Sequence, residues 1–232
     1  MQSIFPNYKK TVLIVTFGRT GSTLLQGIVN SIPGADIRGE NAGFLSALYN
    51  VYATQFCNWK NHSKDNNVNN IMSAWFGAHV INEDTLFNDI LKLFLNQLYP
   101  GGSDKKILGF KEIRYLENKI QKPYQQNFFN LLDFYQKLFI NVRFIFNTRD
   151  HDEVAASQWW KNHDPSILKD YFRNYEFVTD LYSKQNTGLC YSITYEDVVK
   201  KSLKLRDLFY FLEEEYVEDR IDSVLSVKHS CG

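Results

Sequence analysis

The stretch TVLIVTFGRTGSTLLQGIVNS, residues 11–31, predicts how the chain begins to fold. Its β-branched run Val12–Thr16 is typical of a buried strand, and apolar residues at helical spacing follow from Leu24. Ser22 stands where we expect the N-cap of that helix. The turn between them, residues 17–23, contains glycines that let the backbone approach a ligand closely. A strand, a glycine-containing turn and a helix N-terminus together predict an anion site.

The turn at residues 17–23 differs from the phosphate loop of nucleoside-triphosphate enzymes. That loop has four residues between its glycines and then Lys-Ser/Thr. Here two residues separate Gly18 from Gly21, and Gly21 stands where the lysine would be. The difference argues against a GTPase or an ordinary kinase, while a small-molecule kinase on a degenerate loop stays open. A plain strand-to-helix turn with a solvated Arg19 is the other alternative.

The composition narrows the class of protein. The chain has 232 residues, enough for one sizeable α/β domain, and 26 basic residues balance 26 acidic ones. This balance gives no indication of nucleic acid as a partner. Three scattered cysteines are too few for a disulfide framework or a cysteine zinc site. The N-terminus lacks a signal-peptide pattern, and no apolar run approaches the roughly 18 residues that span a bilayer, so we expect a soluble, cytoplasmic protein.

Strand and helix patterns alternate along the chain. After the first strand, runs that predict strands are Ala35–Arg38, Ile107–Lys111, Val142–Thr148 and Cys190–Thr194. Helices are predicted over 42–56 and 83–98, around 128–139, from near Asp152 and from Pro165, whereas the asparagine-rich segment 58–70 predicts a mobile loop. The alternation predicts an α/β fold: one domain over 1–232 with a central parallel sheet of about five strands flanked by helices.

Two side chains that follow the fourth predicted strand can form a second anion site. Arg149 comes directly after the strand, and Ser157 follows eight residues later, on the expected next helix. Ligands collect at the carboxyl ends of parallel strands, so both side chains could reach one phosphate. The alternative is a surface ion pair of Arg149 with Asp152 or Glu153, with Ser157 merely a small residue.

Charged residues also follow the second and third predicted strands. Glu40 comes after the second, and Lys111, Glu112 and Arg114 end the third. Solvated charges and ion pairs are the ordinary explanation for each residue taken singly. All these residues, however, are predicted at the same edge of the sheet as the turn at 17–23 and Arg149, which favours a functional site there.

Taken together, these features resemble the sulfotransferases that use 3′-phosphoadenosine 5′-phosphosulfate (PAPS). The resemblance rests on GRTGST at 18–23, on Arg149 with Ser157, and on the segments LGFKEIRY and YSITYED, and it covers residues 11 to about 200. It is greatest to the branch with an arginine in the loop, which includes bacterial and carbohydrate enzymes. It implies a fold like that of the P-loop nucleotide hydrolases, with PAPS-binding elements at 11–31 and 142–160.

The resemblance also implies a role for each matched residue. Residues of the loop would hold the 5′-phosphosulfate: Arg19, Thr20, Gly21, Ser22 and Thr23. Arg149 and Ser157 would hold the 3′-phosphate. Glu40 would be the carboxylate that activates the acceptor.

Two departures from the family concern the nucleotide site. The cytosolic branch has a tryptophan where Leu24 stands and a basic Arg-Lys-Gly loop near its end, for which the tail here offers only Lys228, His229 and Ser230. Trp159, Trp160 or Tyr195 could stack on the adenine instead, although core packing is the commoner fate of aromatic residues.

The residue types suit sulfuryl transfer. Negative charge grows on the bridging oxygen of the leaving phosphate, where Arg19, helped by Lys111, would stabilise it. Glu40 is the first candidate for the general base that takes the acceptor proton. The rival bases are four histidines: His62, His79, His151 and His163. They show no metal-ligand spacing, and the reaction requires no metal.

The predicted product is PAP, the desulfonated nucleotide, and the predicted acceptor is a hydroxyl of a sugar or another small molecule. The acceptor region is expected at 40–98, where aromatic residues could stack on a sugar or an apolar ring, or could belong to the core. A relative that binds a nucleotide or a glycan without turnover is the non-enzymatic alternative.

Overall fold

Five parallel strands form the sheet around which the chain is organised. The computed structural model describes residues 5–115 and 124–227. The strands are β1 (Lys10–Val15), β2 (Ala35–Arg38), β3 (Ile107–Glu112), β4 (Val142–Thr148) and β5 (Cys190–Thr194). Their order across the sheet is β2-β3-β1-β4-β5, and every pairing is parallel. The predicted α/β class and five-stranded parallel sheet are confirmed.

Strand β1 lies at the centre of the sheet and is buried along its whole length. Its apolar residues face both sides, because successive side chains of a strand point to opposite faces and both faces are covered. The parallel register pairs Val15 with Glu112 of β3 and with Phe146 of β4. The carboxyl ends of these three strands therefore lie side by side.

The chain folds into two compact units. The first, Met1–Ala42 with Ser103–Gly232, contains the sheet. Its helices are α1 (Ser22–Asn30), α5 (Tyr124–Leu138), α6 (His151–Ala155), α7 (Pro165–Gln185), α8 (Tyr195–Val199), α9 (Leu203–Phe211) and α10 (Glu218–Ser226). Val12 and Ile14 pack with α1, α9 and α10 on one face. Phe110 and Phe144 contact aromatic rings of α5 and α7 on the other.

The second unit, Gly43–Gly102, is largely helical. It contains α2 (Phe44–Asn50), which continues as a π-helical segment Val51–Phe56, and then α3 (Cys57–Asn61) and α4 (Glu83–Leu98). The Asn82 side chain accepts a hydrogen bond of 2.9 Å from the Thr85 amide and so caps α4, whose predicted bounds are confirmed.

The helix predicted over 42–56 is confirmed: it begins at Phe44, is α-helical to Asn50 and continues as a π-helix to Phe56. The loop predicted over 58–70 was wrong in its first half, where α3 and a 3-10 turn at His62–Lys64 are helical. There the His62 ring stacks on Trp75 at 3.6 Å between centroids, a contact that the polar composition of the segment could not indicate. Among the helices described, none is long and apolar enough to cross a membrane.

A substitution of Gly109 tests how closely the backbones of β3 and β1 approach each other. A Cβ atom added there would lie 1.8 Å from the carbonyl oxygen of Val12. We expect Gly109→Ala to lower the free energy of unfolding by about 1 to 3 kcal/mol or more, because the backbones must separate. Urea denaturation measures the loss. The control is Gly39→Ala, where no described atom lies within 4 Å of the added Cβ. Equal stabilities of the two variants would contradict the expectation.

Candidate active site

The turn between β1 and α1 has the geometry of an anion-binding loop. Gly21 is the N-cap of α1, in the left-handed region with φ of 74°, so the predicted Ser22 cap was wrong. Ser22 is instead the first residue of the helix. Residues 22–25 include no acidic side chain, so no carboxylate of this first turn competes for the positive end of the helix dipole.

Arg19 in this loop carries two unusual features. Its φ is also 74°, a conformation that costs energy for a residue with a Cβ atom. Its Nε is buried and has no hydrogen-bond partner among the residues that the structure describes. Buried donors are nearly always paired, and strained backbone clusters at functional sites. Both features are typical of residues at functional sites.

The hydroxyl groups of the loop point in different directions. The Thr20 side chain is fully buried, and its Oγ1 lies 2.7 Å from Thr16 Oγ1 and donates to the Phe17 carbonyl at 3.2 Å. Ser22 is nearly buried at 6% exposure, whereas Thr23 is exposed. The Thr20 hydroxyl therefore stabilises the loop from its buried side, and Thr23 faces solvent.

Aromatic residues hold the start of the loop in place. Phe17 stacks on Phe172 at 4.8 Å and meets Tyr175 edge-on at 5.0 Å. The indole Nε1 of Trp160 donates a hydrogen bond of 3.0 Å to the Gly18 carbonyl. Trp160 is buried, so its ring belongs to the core, and it also anchors the loop. The sequence offered no signal for this bond, because the two residues are 142 positions apart.

Arg149 lies at the end of β4, as predicted. Its guanidinium stacks over the Tyr195 ring, with Cζ 4.4 Å from the centroid. Its Nε donates to Glu153 at 3.0 Å, and its second nitrogen contacts the same carboxylate oxygen. The surface ion pair considered as an alternative is thus formed in the structure. Because the Glu153 side chain is 54% exposed, this pair contributes little stability.

Ser157 is not on a helix, so that part of the prediction was wrong. Helix α6 ends at Ala155, and Ser157 has extended backbone angles before a 3-10 turn at Gln158–Asn162. Its hydroxyl donates to the Val154 carbonyl at 2.6 Å, and its own carbonyl accepts from the Trp160 amide at 3.0 Å. The segment after Arg149 therefore leads to Trp160 and, through it, to Gly18. The Trp159 side chain and residues 228–230 lie outside the described parts.

The structure brings Glu40 and Lys111 together. Lys111 Nζ donates to Glu40 Oε1 at 2.6 Å, and an Arg114 guanidinium nitrogen lies 3.4 Å from Glu40 Oε2. The Lys111 side chain is 8% exposed and that of Glu40 is 32% exposed. A nearly buried ammonium thus holds a carboxylate that solvent can still reach.

Glu112 is a buried carboxylate whose importance the sequence did not reveal. Its side chain is 1% exposed and accepts hydrogen bonds from the Asn41 amide at 3.1 Å, the Ile113 amide at 2.8 Å and the Arg114 amide at 3.1 Å. The bond to Asn41 ties the segment after β2 to the end of β3. Glu112 therefore positions the segment that carries Glu40.

Comparison with known proteins identifies the family of the chain. A sequence model of the sulfotransferase family matches residues 11–219, which include the loop, Glu40, Lys111, Arg149 and Ser157. This chain belongs to the sulfotransferase family.

The fold of this sulfotransferase is also found in a solved structure. The sulfotransferase domain of the olefin synthase of Synechococcus PCC 7002 is similar, with a TM-score of 0.55 and 16% identity over 96% of this chain and 79% of that one. Among curated proteins, no sequence match is found.

Two of the four histidines considered as rival bases of this sulfotransferase lie in ion pairs with carboxylates. His151 Nε2 lies 2.9 Å from Glu176, and His62, in the second unit, pairs with Asp65 at 3.1 Å. Near the loop, burial raises the pKa of Tyr175 well above its usual range, and its hydroxyl donates to the Val15 carbonyl at 2.6 Å. Tyr175 therefore stays protonated at neutral pH. The described residues include no group of three or more acidic, histidine or cysteine side chains that could hold a metal ion.

Removal of the Glu112 carboxylate tests its positioning role. We expect Glu112→Ala to lower the free energy of unfolding by about 3 to 5 kcal/mol, because three backbone donors and a guanidinium lose a buried partner. Glu112→Gln keeps the size and one acceptor oxygen, so the expected loss is about 1.5 to 3 kcal/mol. Urea denaturation measures both.

The control is Asp180→Ala, which removes a pair with Lys184 whose side chains are 60% and 70% exposed. Its expected cost is below about 1 kcal/mol. The positioning role is wrong if Glu112→Ala costs no more than this control.

Proposed function

We propose that this sulfotransferase transfers the sulfuryl group of PAPS to a hydroxyl of a small-molecule or carbohydrate acceptor. The observation that carries the proposal is a pair of separate cationic sites at one sheet edge. One is Arg19, with its buried unpaired Nε at the N-terminus of α1, and the other is Arg149 at the end of β4. PAPS has two separate anionic groups, whereas a nucleoside triphosphate has one continuous chain of phosphates.

The loop would hold the 5′-phosphosulfate. In this proposal the amides of Gly21, Ser22 and Thr23 bind it at the positive end of α1, and the Arg19 guanidinium adds a charged fork. The outward Thr23 hydroxyl, with Ser22, supplies further donors. Thr20 contributes through its backbone, because its hydroxyl is bonded to Thr16 and Phe17.

Arg149 and Ser157 would hold the 3′-phosphate. Arg149 must then exchange Glu153 for the phosphate, and this exchange costs little because exposed i,i+4 pairs are worth only about 0.3 to 0.5 kcal/mol. The Ser157 hydroxyl must turn from the Val154 carbonyl toward the ligand. A charge-assisted bond to phosphate replaces a neutral bond to a carbonyl, which favours the change.

Glu40, Lys111 and Arg19 would perform the transfer. PAPS supplies the sulfuryl group, and the acceptor oxygen forms the new O–S bond as the bond between sulfur and the bridging oxygen breaks. Glu40 accepts the hydroxyl proton, and Arg19 with Lys111 stabilises the electron pair that remains on the phosphate as PAP leaves. The 2.6 Å bond between Lys111 and Glu40 keeps the base oriented.

The acceptor would be recognised by the segment predicted at 40–98. In the second unit the aromatic side chains of Trp59, Trp75 and Phe76 are 47%, 37% and 54% exposed. Exposed aromatic rings beyond those needed for a core suit the stacking of a sugar or an apolar ring.

Binding of PAP tests the nucleotide part of the proposal. A ligand at 100 times its Kd stabilises the folded state by about 2.7 kcal/mol. Because 1 kcal/mol shifts the melting temperature of a protein of this size by about 2 to 4 °C, we expect saturating PAP to raise it by about 5 to 10 °C. Arg149→Ala should lose most of this rise, whereas Arg220→Ala, an exposed arginine on α10, should retain it. An unchanged melting temperature of the unsubstituted protein would rule out the nucleotide site.

Glu40→Gln tests the base. The turnover rate of sulfuryl transfer should fall about 10²- to 10⁴-fold, while PAP affinity changes less than about 3-fold, because Glu40 acts on the acceptor proton. Mass spectrometry of an acceptor panel incubated with PAPS measures the product. Glu215→Gln, an exposed glutamate, is the control. Full activity of Glu40→Gln would show that another group is the base.

A further inference from the structure

The Tyr195 ring lies in contact with residues of both proposed anion sites. It stands at the first position of α8, directly after β5. A Cβ atom added to Gly21 would lie 2.2 Å from Tyr195 Cδ2 and 2.8 Å from Cε2, so the ring packs directly on the N-cap of α1. The Arg149 guanidinium lies over the same ring at 4.4 Å. One side chain thus separates the loop from Arg149.

The backbone that carries this ring is held firmly. β4 and β5 pair Thr148 with Thr194, so the residues that follow, Arg149 and Tyr195, leave adjacent strand ends. A capping box fixes the turn into α8: the Asp197 amide donates to Thr194 Oγ1 at 3.1 Å, and the Thr194 amide donates to Asp197 Oδ2 at 3.2 Å. The Asp150 amide donates to Glu196 at 3.3 Å, which ties the segment after Arg149 to the same helix.

We propose that Tyr195 is a positioning residue that sets the distance and orientation of Arg149 relative to the loop. This inference rests on the proposed function. The ring holds the planar guanidinium by cation–π stacking, which selects Arg over Lys and leaves its N–H groups at the edge of the plane for a ligand. A nucleotide with a 3′-phosphate is then recognised by both sites together, and one without it is recognised by the loop alone.

Without the ring, Arg149 keeps its charge but loses its position. Glu153 already holds two of its nitrogens and would draw the guanidinium toward α6. The loss should appear in the preference for PAP over adenosine 5′-monophosphate (AMP), which lacks the 3′-phosphate. The free energy of cation–π stacking corresponds to a factor of about 3 to 30 in an equilibrium constant. We therefore expect the ratio of PAP affinity to AMP affinity to fall by about 3- to 30-fold.

Calorimetric titration of the full chain with PAP and with AMP tests the inference. Tyr195→Phe keeps the ring and should leave the PAP/AMP affinity ratio within about 2-fold. Tyr195→Leu should lower the ratio by about 3- to 30-fold. In a double-mutant cycle, Tyr195→Leu should have no further effect on the ratio once Arg149→Ala is present, because the tyrosine acts through the arginine.

Each other outcome has a defined meaning. An equal loss of PAP and AMP affinity in Tyr195→Leu would assign the ring a structural role only and overturn the inference. The inference would also be overturned if Tyr195→Leu left the PAP/AMP affinity ratio unchanged. The same holds if Tyr195→Leu lowered the ratio as much in the Arg149→Ala variant as in the unsubstituted protein. If Tyr195→Leu does not fold by circular dichroism, Tyr195→Met replaces it with the same expectations. If the unsubstituted protein shows no preference for PAP over AMP, the proposed function fails first, and the inference fails with it.

Discussion

The parallel pairing of β1 with strands on both of its sides is the constraint on which the site depends. β1 is buried along its length, and its last residue, Val15, lies in register with Glu112 and Phe146. The chain must therefore leave the sheet between the ends of β3 and β4. The loop at 17–23 therefore has the end of β3, with Glu112, on one side and the end of β4, with Arg149, on the other. The hydrophobic burial of one strand thus assembles polar groups that are more than a hundred residues apart.

Buried polar groups then hold these strand ends at fixed positions. The Glu112 carboxylate gathers three backbone amides on one side of β1, and the indole of Trp160 binds the Gly18 carbonyl on the other. A buried donor or acceptor without its partner is costly, so each bond tolerates little displacement. The side chains proposed for chemistry lie next to these bonds: Lys111 is nearly buried, and Glu40 keeps partial access to solvent. Such preorganisation is what electrostatic stabilisation of a transferring group requires.

The elements that sequence reasoning predicted best are those with a strong local pattern. The bounds of β2, β4, β5 and α4 agree with the structure, because period-two and period-3.6 patterns depend on neighbouring residues alone. The errors occur where a distant contact decides the local geometry. Serine is a good N-cap, yet Gly21 takes that position, since its left-handed φ and the Tyr195 ring leave no room for a Cβ atom. Ser157 lies outside α6, on the segment that leads to the Trp160 anchor.

The sequence by itself determined the α/β class, the position of the turn between β1 and α1 and the residue types of the candidate site, because strand burial and helix periodicity are encoded in runs of adjacent residues. It also carried the resemblance to the sulfotransferases. Only the tertiary structure decided that Glu112 is buried, that Lys111 pairs with Glu40, and that Tyr195 stands between Gly21 and Arg149. These facts depend on strand order and register, which bring together residues that no local pattern relates to one another.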